Sequence, residues 1–234
     1  GKKVREKELV LASDCKKIED EALMNNVKIK RVQIPSSLTE VGKQSFANCT
    51  ALNELCFENI ERIKQEAFSC CIRVRKAEFS KKLQYIGKGA FFRCKRLECA
   101  AFPESVTCAY LAEEVFYGCE SLKEIKIPKS VREIRNRAFY KCLALEKVEF
   151  PLTLRKIGSQ AFYQTVIKEL ELPEGLLEIG DSAFLKCNNL ESVQIPESVK
   201  RIEKWAFHGC HRLKMVEIAH EPEFIGDWIV NKST

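Results

Sequence analysis

The chain has 234 residues, of which 45% are hydrophobic, and this is enough apolar material to bury a substantial core. Its 39 Lys and Arg residues against 33 Asp and Glu residues give a net charge of +6, with both signs interspersed. This balance lacks the strong basic excess of a nucleic-acid-binding domain, and we predict no nucleic acid partner. No apolar run approaches the roughly 18 residues of a transmembrane helix, so the sequence predicts no membrane insertion in this segment.

A repeat of about 23 residues dominates the sequence. Seven of eight copies have a Cys three residues after an aligned Phe, and the exception is Thr165. Consecutive aligned phenylalanines are 22 to 25 residues apart: Phe46, Phe68, Phe91, Phe116, Phe139, Phe162, Phe184 and Phe207. A period in the low twenties is typical of a solenoid, because each unit is too short to bury its apolar face alone.

Each repeat predicts the same elements in the same order. The Ala-Phe-x-x-Cys stretch has i, i+3 spacing and predicts a short helical turn. A Leu-x-x-Val-x-Ile stretch follows, as at Leu190, Val193 and Ile195, and its alternation predicts a strand that runs parallel to its equivalent one repeat away. A Pro often ends this strand, a second apolar pair predicts a short outer strand, and a Gly such as Gly158 is expected to permit a sharp reversal.

The two ends of the chain carry weaker copies. Residues 1–34 read as a degenerate N-terminal unit or cap, and residues 219–234 read as a truncated C-terminal unit. End repeats lose part of the pattern because one of their sides faces water. We therefore predict one domain, a solenoid of about nine units over residues 1–234.

The repeat resembles a known family. The segment from Pro196 to Ile218 closely follows the pattern Pro-x-Ser-Val-x-x-Ile-Gly-x-x-Ala-Phe-x-x-Cys-x-x-Leu-x-x-Val-x-Ile, with Glu203 at the Gly position. This pattern resembles the BspA-type (Treponema pallidum-type) leucine-rich repeat over about residues 9–230. The resemblance and the periodicity together predict an α/β repeat fold: a right-handed leucine-rich-repeat solenoid with a parallel inner sheet, short helical turns and short outer strands. Members of this family are typically bacterial or protist surface proteins, and several resemble adhesins.

The inner strands carry the predicted binding site. In leucine-rich solenoids, the residues that alternate with the buried strand positions form the usual ligand face. We predict ligand contacts at Lys76, Glu78, Cys99, Ala101, Glu124, Lys126, Lys147 and Glu149. Neighbouring strands should place Glu124 beside Lys147 and Lys126 beside Glu149. Such pairs also suit an ordinary solvated sheet, and this alternative stays open.

Two further surface features have a functional and a structural interpretation. The unit between Phe102 and Phe116 carries two extra residues around 107–110, which place Tyr110 either on an exposed bulge as an anchor or in local packing. A basic concentration lies within one unit, at Lys81, Lys82, Lys88, Arg93, Lys95 and Arg96. It is either a solvated wall of the solenoid or a weak contact for a glycan or an acidic surface.

The sequence offers little chemistry. We predict that the repeated cysteines form a column of buried thiols, and that the off-pattern Cys56 and Cys99 lie near a strand and are exposed. The stretch from His208 to His211 includes Cys210 but lacks a fourth metal ligand, and no nucleophile–base constellation is recognisable. We therefore predict no enzyme activity, no cofactor and no metal site.

The function predicted is a non-catalytic protein-binding module. We expect a cell-surface or secreted protein of the adhesion type, whose inner face recognises a host or matrix protein or another cell-surface protein. The alternative is an intracellular scaffold or structural spacer located in the cytoplasm. The sequence leaves the oligomeric state open.

Overall fold

A computed structural model describes residues 8–55, 57–227 and 229–230. The predictions that concern residues 1–7, Cys56 and residues 231–234 lie outside the described residues. These described residues form nineteen short strands, numbered in chain order, which fall into an inner and an outer set, named as in the sequence prediction. The inner strands are β1 (Glu8–Val10), β3 (Arg31–Gln33), β6 (Lys76–Glu78), β8 (Cys99–Ala101), β10 (Glu124–Lys126), β12 (Lys147–Glu149), β14 (Glu169–Glu171), β16 (Ser192–Ile195) and β18 (Met215–Ile218). The outer strands are β2 (Lys17–Ile18), β4 (Glu40–Val41), β5 (Arg62–Ile63), β7 (Tyr85–Ile86), β9 (Tyr110–Leu111), β11 (Glu133–Ile134), β13 (Lys156–Ile157), β15 (Glu178–Ile179), β17 (Arg201–Ile202) and β19 (Phe224–Ile225).

Every described strand pairing is parallel and joins equivalent positions of successive coils. Inner strand β10 pairs with β12, and outer strand β11 pairs with β13 in the register that sets Ile134 opposite Ile157. Equivalent strands run parallel because each coil returns in the same sense. The molecule is thus a parallel-sheet solenoid of about nine turns, as predicted.

A column of phenylalanine rings forms the centre of the core. Each of the eight aligned phenylalanines is at most 1% exposed. Consecutive rings stack with centroids 5.1 to 5.7 Å apart. Stacked aromatic pairs contribute about 0.5–1.5 kcal/mol each beyond their burial. The repeat spacing of the sequence therefore becomes a continuous apolar ladder along the solenoid axis.

The prediction of short helical turns is wrong. No helix occurs among the described residues, and the Ala-Phe-x-x-Cys segments are runs of tight turns. In one coil, Arg137 and Lys141 both have φ of 56°, in the left-handed region, and this interrupts any α-helical path. The Phe139 amide donates to the Ala161 carbonyl of the next coil at 2.8 Å instead of to a carbonyl four residues earlier. The i, i+3 spacing thus reflects consecutive β-turns.

Glycine closes several coils for a reason other than the predicted one. Gly87 and Gly180 do not adopt left-handed φ, but the backbone of the preceding coil passes close to each. A Cβ on Gly87 would lie 2.5 Å from the Gln65 nitrogen, and one on Gly180 would lie 2.7 Å from the Ser159 nitrogen. Glycine therefore serves close approach between coils.

The cysteine column is buried, as predicted, and its thiols have a structural role. Each column thiol donates to the backbone carbonyl of the residue at the aligned Phe position one coil earlier. The Cys142 thiol, for example, donates to the Phe116 carbonyl at 3.2 Å. The same contact recurs in the other six copies at 3.1 to 3.3 Å. Thr165 departs from the pattern because its hydroxyl donates to Phe162 within its own coil. The thiols thus satisfy buried carbonyls while filling small apolar sites.

Three coils differ in length from 23 residues, and the inner ladder is interrupted at each. The interruptions lie between β3 and β6, where the described residues Glu54 and Leu55 form no strand, between β8 and β10, and between β12 and β14. The corresponding phenylalanine spacings are 22 from Phe46, 25 from Phe91 and 22 from Phe162. The 25-residue coil also splits the outer ladder between β7 and β9. A coil of unusual length cannot keep every position in register with its neighbours.

A third surface runs along the turns that lie between the phenylalanine column and the leucine column. We call it the turn edge, and it comprises residues 24–28, 47–51, 69–73, 92–96, 117–121, 140–144, 163–166, 185–189 and 208–212. The aligned cysteines of these segments point into the core, and most of the other residues are partly or fully exposed.

Candidate functional site

The inner strands expose all the predicted contact residues on one face. Lys76, Glu78, Cys99, Ala101, Glu124, Lys126, Lys147 and Glu149 are all exposed. The residues between them in each strand, such as Ile125 and Val148, are buried at 3% and 9% exposure. The alternation read from the sequence is therefore confirmed, whereas ligand binding by these side chains stays a prediction.

The predicted register of the charged positions is confirmed, but the ion pairs differ in part. Glu124 lies opposite Lys147, and Lys126 lies opposite Glu149. Lys147 nevertheless pairs with Glu149 of its own strand, with Nζ 3.1 Å from a carboxylate oxygen. The hydrogen bond with this carboxylate, followed by its charge, raises the pKa of Lys147. The eight predicted positions thus carry three lysines against three glutamates, whereas β14 adds two acids, Glu169 and Glu171.

A column of strictly alternating charge borders this face. It consists of the residue immediately before the first residue of each inner strand, from the fourth coil onward: Arg75, Glu98, Lys123, Glu146, Lys168, Glu191 and Lys214. Three ion pairs join successive members, between Arg75 and Glu98 at 3.6 Å, Lys168 and Glu146 at 3.0 Å, and Lys214 and Glu191 at 3.8 Å. Three of the six successive steps of this column thus join opposite charges in an ion pair.

One hollow of the inner face lies between β3 and β6. Its volume is about 640 Å³, and its lining includes the predicted residues Lys76 and Glu78. Arg31, Arg73 and Arg75 line it as well, and the sequence did not indicate these residues as ligand contacts. Arg31 occupies an exposed alternating position of β3, whereas Arg73 and Arg75 lie just before β6, outside the alternating positions.

Two further hollows mark the other two interruptions. A hollow of about 350 Å³ between β12 and β14 is lined by Lys147, Glu149, Lys168 and Glu171 among others. A small one of about 40 Å³ between β8 and β10 includes Lys126. All three hollows thus occur where the ladder is broken, and together they include five of the eight predicted contact residues.

Tyr110 does not lie on a bulge. It belongs to outer strand β9, opposite Glu133, and it is half-buried. The Arg135 guanidinium carbon lies 3.5 Å from its ring centroid. The extra residues precede the strand, where Cys108 is 3% exposed and folds into the core. Binding by Tyr110 stays a prediction, from a position with less free surface than a bulge offers.

The basic concentration between Lys81 and Arg96 is dispersed around one coil. Lys88 pairs with Glu113 at 3.1 Å, and Lys95 pairs with Glu120 at 3.0 Å. Lys81 and Lys82 lie in the turn after β6, at a distance along the coil from the other members. These residues therefore do not form one patch.

The cysteines and histidines are arranged for structure. Cys99 is exposed, as predicted, whereas burial raises the pKa of the Cys49 and Cys108 thiols to about 11. The Cys210 thiol between the two histidines donates to the Phe184 carbonyl. Within the described ranges, no three His, Cys, Asp or Glu side chains are grouped to hold a metal ion, and no helix could span a membrane.

Comparison with known families gives one clear match. The model of the BspA type leucine-rich repeat region matches residues 3–110 and 109–234, with six copies. A sequence search of curated proteins finds no match.

Solved structures share the architecture. A leucine-rich repeat protein from Bacteroides ovatus is 29% identical, with a TM-score of 0.81 over 95% of this chain and 63% of that chain. The T. pallidum leucine-rich repeat protein is 29% identical, with a TM-score of 0.55 over 71% of this chain and 72% of that chain. The pneumococcal vaccine antigen PcpA, at 22% identity and a TM-score of 0.57 over 90% of this chain and 62% of that chain, shares the fold. This chain thus spans less than two thirds of the Bacteroides ovatus protein.

Proposed function

Because the chain belongs to the BspA-type leucine-rich repeat family, we propose that it is a non-catalytic protein-binding module whose ligand face is the inner strands. Repeat proteins of this kind generally present extended surfaces for protein interaction, and they bind through area and shape. A rigid ladder needs little ordering on association, so less of the interaction energy is lost.

The hollows at the ladder interruptions are the observation that carries this proposal. The three interruptions give relief of about 640, 350 and 40 Å³ along this face. Charged side chains of both signs surround each of them. A protein ligand that inserts side chains into these hollows gains a fixed register along the solenoid axis.

The location belongs to the proposal as well. We place the protein at the cell surface or outside the cell, as an adhesion-type protein whose partner is a host, matrix or cell-surface protein. The support for this placement is the repeat family itself, whose members are typically surface proteins. Protease treatment of intact cells would remove a surface protein and leave a cytoplasmic scaffold intact.

The ligand face is tested by reversing its charge. Lys126→Glu together with Lys147→Glu changes two exposed positions on neighbouring strands while leaving the buried column untouched. We expect this variant to lose at least about tenfold in affinity for any protein that the wild-type chain captures from an array of purified extracellular and cell-surface proteins.

The matched control is Lys43→Glu together with Lys200→Glu, which makes the same change in net charge away from the inner face. We expect the control variant to bind as the wild type does. Unchanged binding by the inner-face variant would remove this face as the site.

A further inference from the structure

The turn edge has a different charge from the rest of the molecule. Its segments carry eight Lys and Arg residues and a single acid, Glu120. The remainder of the chain holds 31 basic and 32 acidic residues, so the whole net charge of +6 arises from the turn edge. All eight basic residues are exposed. A charge that appears only modest over the whole chain is thus concentrated on one surface.

Most of these cations have no acidic partner. Lys95 pairs with Glu120. Among the residues that the structure describes, the other basic side chains of the turn edge form no ion pair: Lys28, Arg73, Arg93, Arg96, Lys141, Lys186 and Arg212. Elsewhere on the surface, by contrast, ion pairs between successive coils are common, as in the alternating column that borders this edge. The turn edge therefore holds unneutralised positive charge next to charge-balanced columns.

An aromatic ladder runs along the same edge. Phe92, Tyr117, Tyr140 and Tyr163 stack in sequence, with ring centroids 4.7, 4.7 and 4.5 Å apart and planes within 21° of parallel. All four are half-buried. Because the ring faces cover one another, the part that meets solvent is the ring edge, and the three tyrosines add phenol groups there. Lys141 lies 5.7 Å from the Tyr140 centroid, so charge and ladder are adjacent.

Many backbone amides of the turn edge are already paired, either with the next coil or within their own coil. The Phe139 and Lys141 amides donate to Ala161 and Tyr163 of the next coil, and the Cys142 amide donates to Phe139 within its own coil. This edge therefore offers no free strand for a peptide to extend, and recognition there depends on side chains. The ligand must bring its own anionic and hydrogen-bonding groups.

From these observations we propose that the turn edge binds a linear anionic polysaccharide, which carries sulfate or carboxylate groups and runs along the solenoid axis. The basic side chains recur in six of the nine turn-edge segments, over stacked coils that span about 40 Å at the usual strand spacing. They meet the anionic groups of successive sugars, and the tyrosine hydroxyls meet sugar hydroxyls. Nucleobases are disfavoured because they bind by stacking on open aromatic faces, and these faces are covered.

The proposal is tested with a heparin decasaccharide as the probe, titrated into the wild-type chain and two triple variants. The first variant is Arg96→Ala, Lys141→Ala and Lys186→Ala, on the turn edge. The second is Lys76→Ala, Lys126→Ala and Lys147→Ala, on the inner strands. Both remove three exposed cations, and both are first checked for wild-type circular dichroism and unfolding midpoint.

We expect the turn-edge variant to lose about tenfold or more in affinity, and its slope of log K against log salt to fall by about three. The inner-strand variant should stay within about threefold of the wild type. Equal losses in the two variants would show that only net charge matters and would overturn the site. No measurable binding by the wild type would overturn the proposal as well.

The class of ligand is tested with two further polyanions of matched charge, polyglutamate and a single-stranded thymidine oligonucleotide. The proposal predicts that the decasaccharide binds more tightly than either, since only the sugar offers both anions and hydroxyls to the tyrosine edges. Tighter binding of polyglutamate or of the oligonucleotide, lost in the turn-edge variant, would make the ligand a peptide or a nucleic acid and would overturn the polysaccharide assignment.

Discussion

The inner face and the turn edge come from the same repeat but use charge in opposite ways. In the alternating column that borders the inner face, successive coils alternate in sign, so that Lys168 lies beside Glu146 at 3.0 Å. On the turn edge, the charged positions are almost all basic, and residues such as Lys141 and Lys186 have no acidic partner among the described residues. The comparison indicates that charges of alternating sign let the coils stack without repulsion. An accumulation of positive charge, by contrast, can attract a negatively charged partner.

The two surfaces share one core, and the largest expected effect comes from weakening that core with alkaline pH. Burial raises the pKa of the column thiols Cys71, Cys94, Cys119 and Cys142 above the ordinary value. The folded state therefore keeps protons that the unfolded state loses, so the contribution of these thiols to stability is constant below about pH 8.5 and falls above it. Each thiol contributes up to about 1.4 kcal/mol for each pH unit.

Urea unfolding from pH 7 to pH 11 measures this fall in the free energy of unfolding. Cys142→Ala should be less stable at pH 7 and should show a shallower decline, because one titrating thiol is gone. Parallel declines in the variant and the wild type would contradict the role of the thiols. If the two surfaces depend on one core, heparin binding and protein binding should be lost over the same pH range.

A smaller effect on the free energy of unfolding distinguishes the alternating column from the turn edge. Lys168→Glu sets three acids in successive coils of the alternating column and should lower the free energy of unfolding by about 0.5–1 kcal/mol. Lys141→Glu makes the same change of net charge on the turn edge, where it should be neutral within a few tenths of a kcal/mol or slightly stabilising.

High salt should remove the difference in the free energy of unfolding between the two variants. Both sites are exposed, and 1 M salt screens interactions between charges that are more than about 3 Å apart. Denaturant midpoints of the two variants at 0.05 M and 1 M NaCl provide the check. Equal destabilisation by both substitutions would mean that the two surfaces do not differ electrostatically.

Much of the fold could be predicted from the sequence because the repeat is nearly invariant. The period gave the parallel strands, and the position of Phe139 and Cys142 in every copy gave the buried columns. The helical turn was wrong because an i, i+3 spacing is shared by a helix and by consecutive β-turns. Nothing in the residue types of Arg137 and Lys141 signals a left-handed φ, which is more common for Gly or Asn.

The candidate surfaces were predicted less completely. Strand alternation correctly gave the exposure of Lys126 and Glu149. The hollows depend on how coils of 22 and 25 residues displace their neighbours, which alternation does not encode. The turn edge could not be recognised in a short stretch of sequence, because its basic residues are far apart along the chain. Lys141 precedes Lys186 by 45 residues, and Lys186 precedes Arg212 by 26, so they share one surface only when the coils stack.

The most direct test of the distinction between the two surfaces is a lysine footprint with and without the heparin decasaccharide. Acetylation followed by mass spectrometry compares Lys141 and Lys186 on the turn edge with Lys126 and Lys147 on the inner strands, all four of which are exposed. Selective protection of Lys141 and Lys186, with Lys126 and Lys147 modified as in the free protein, is the result we expect. Equal protection of all four lysines, or protection of the inner pair alone, would contradict it.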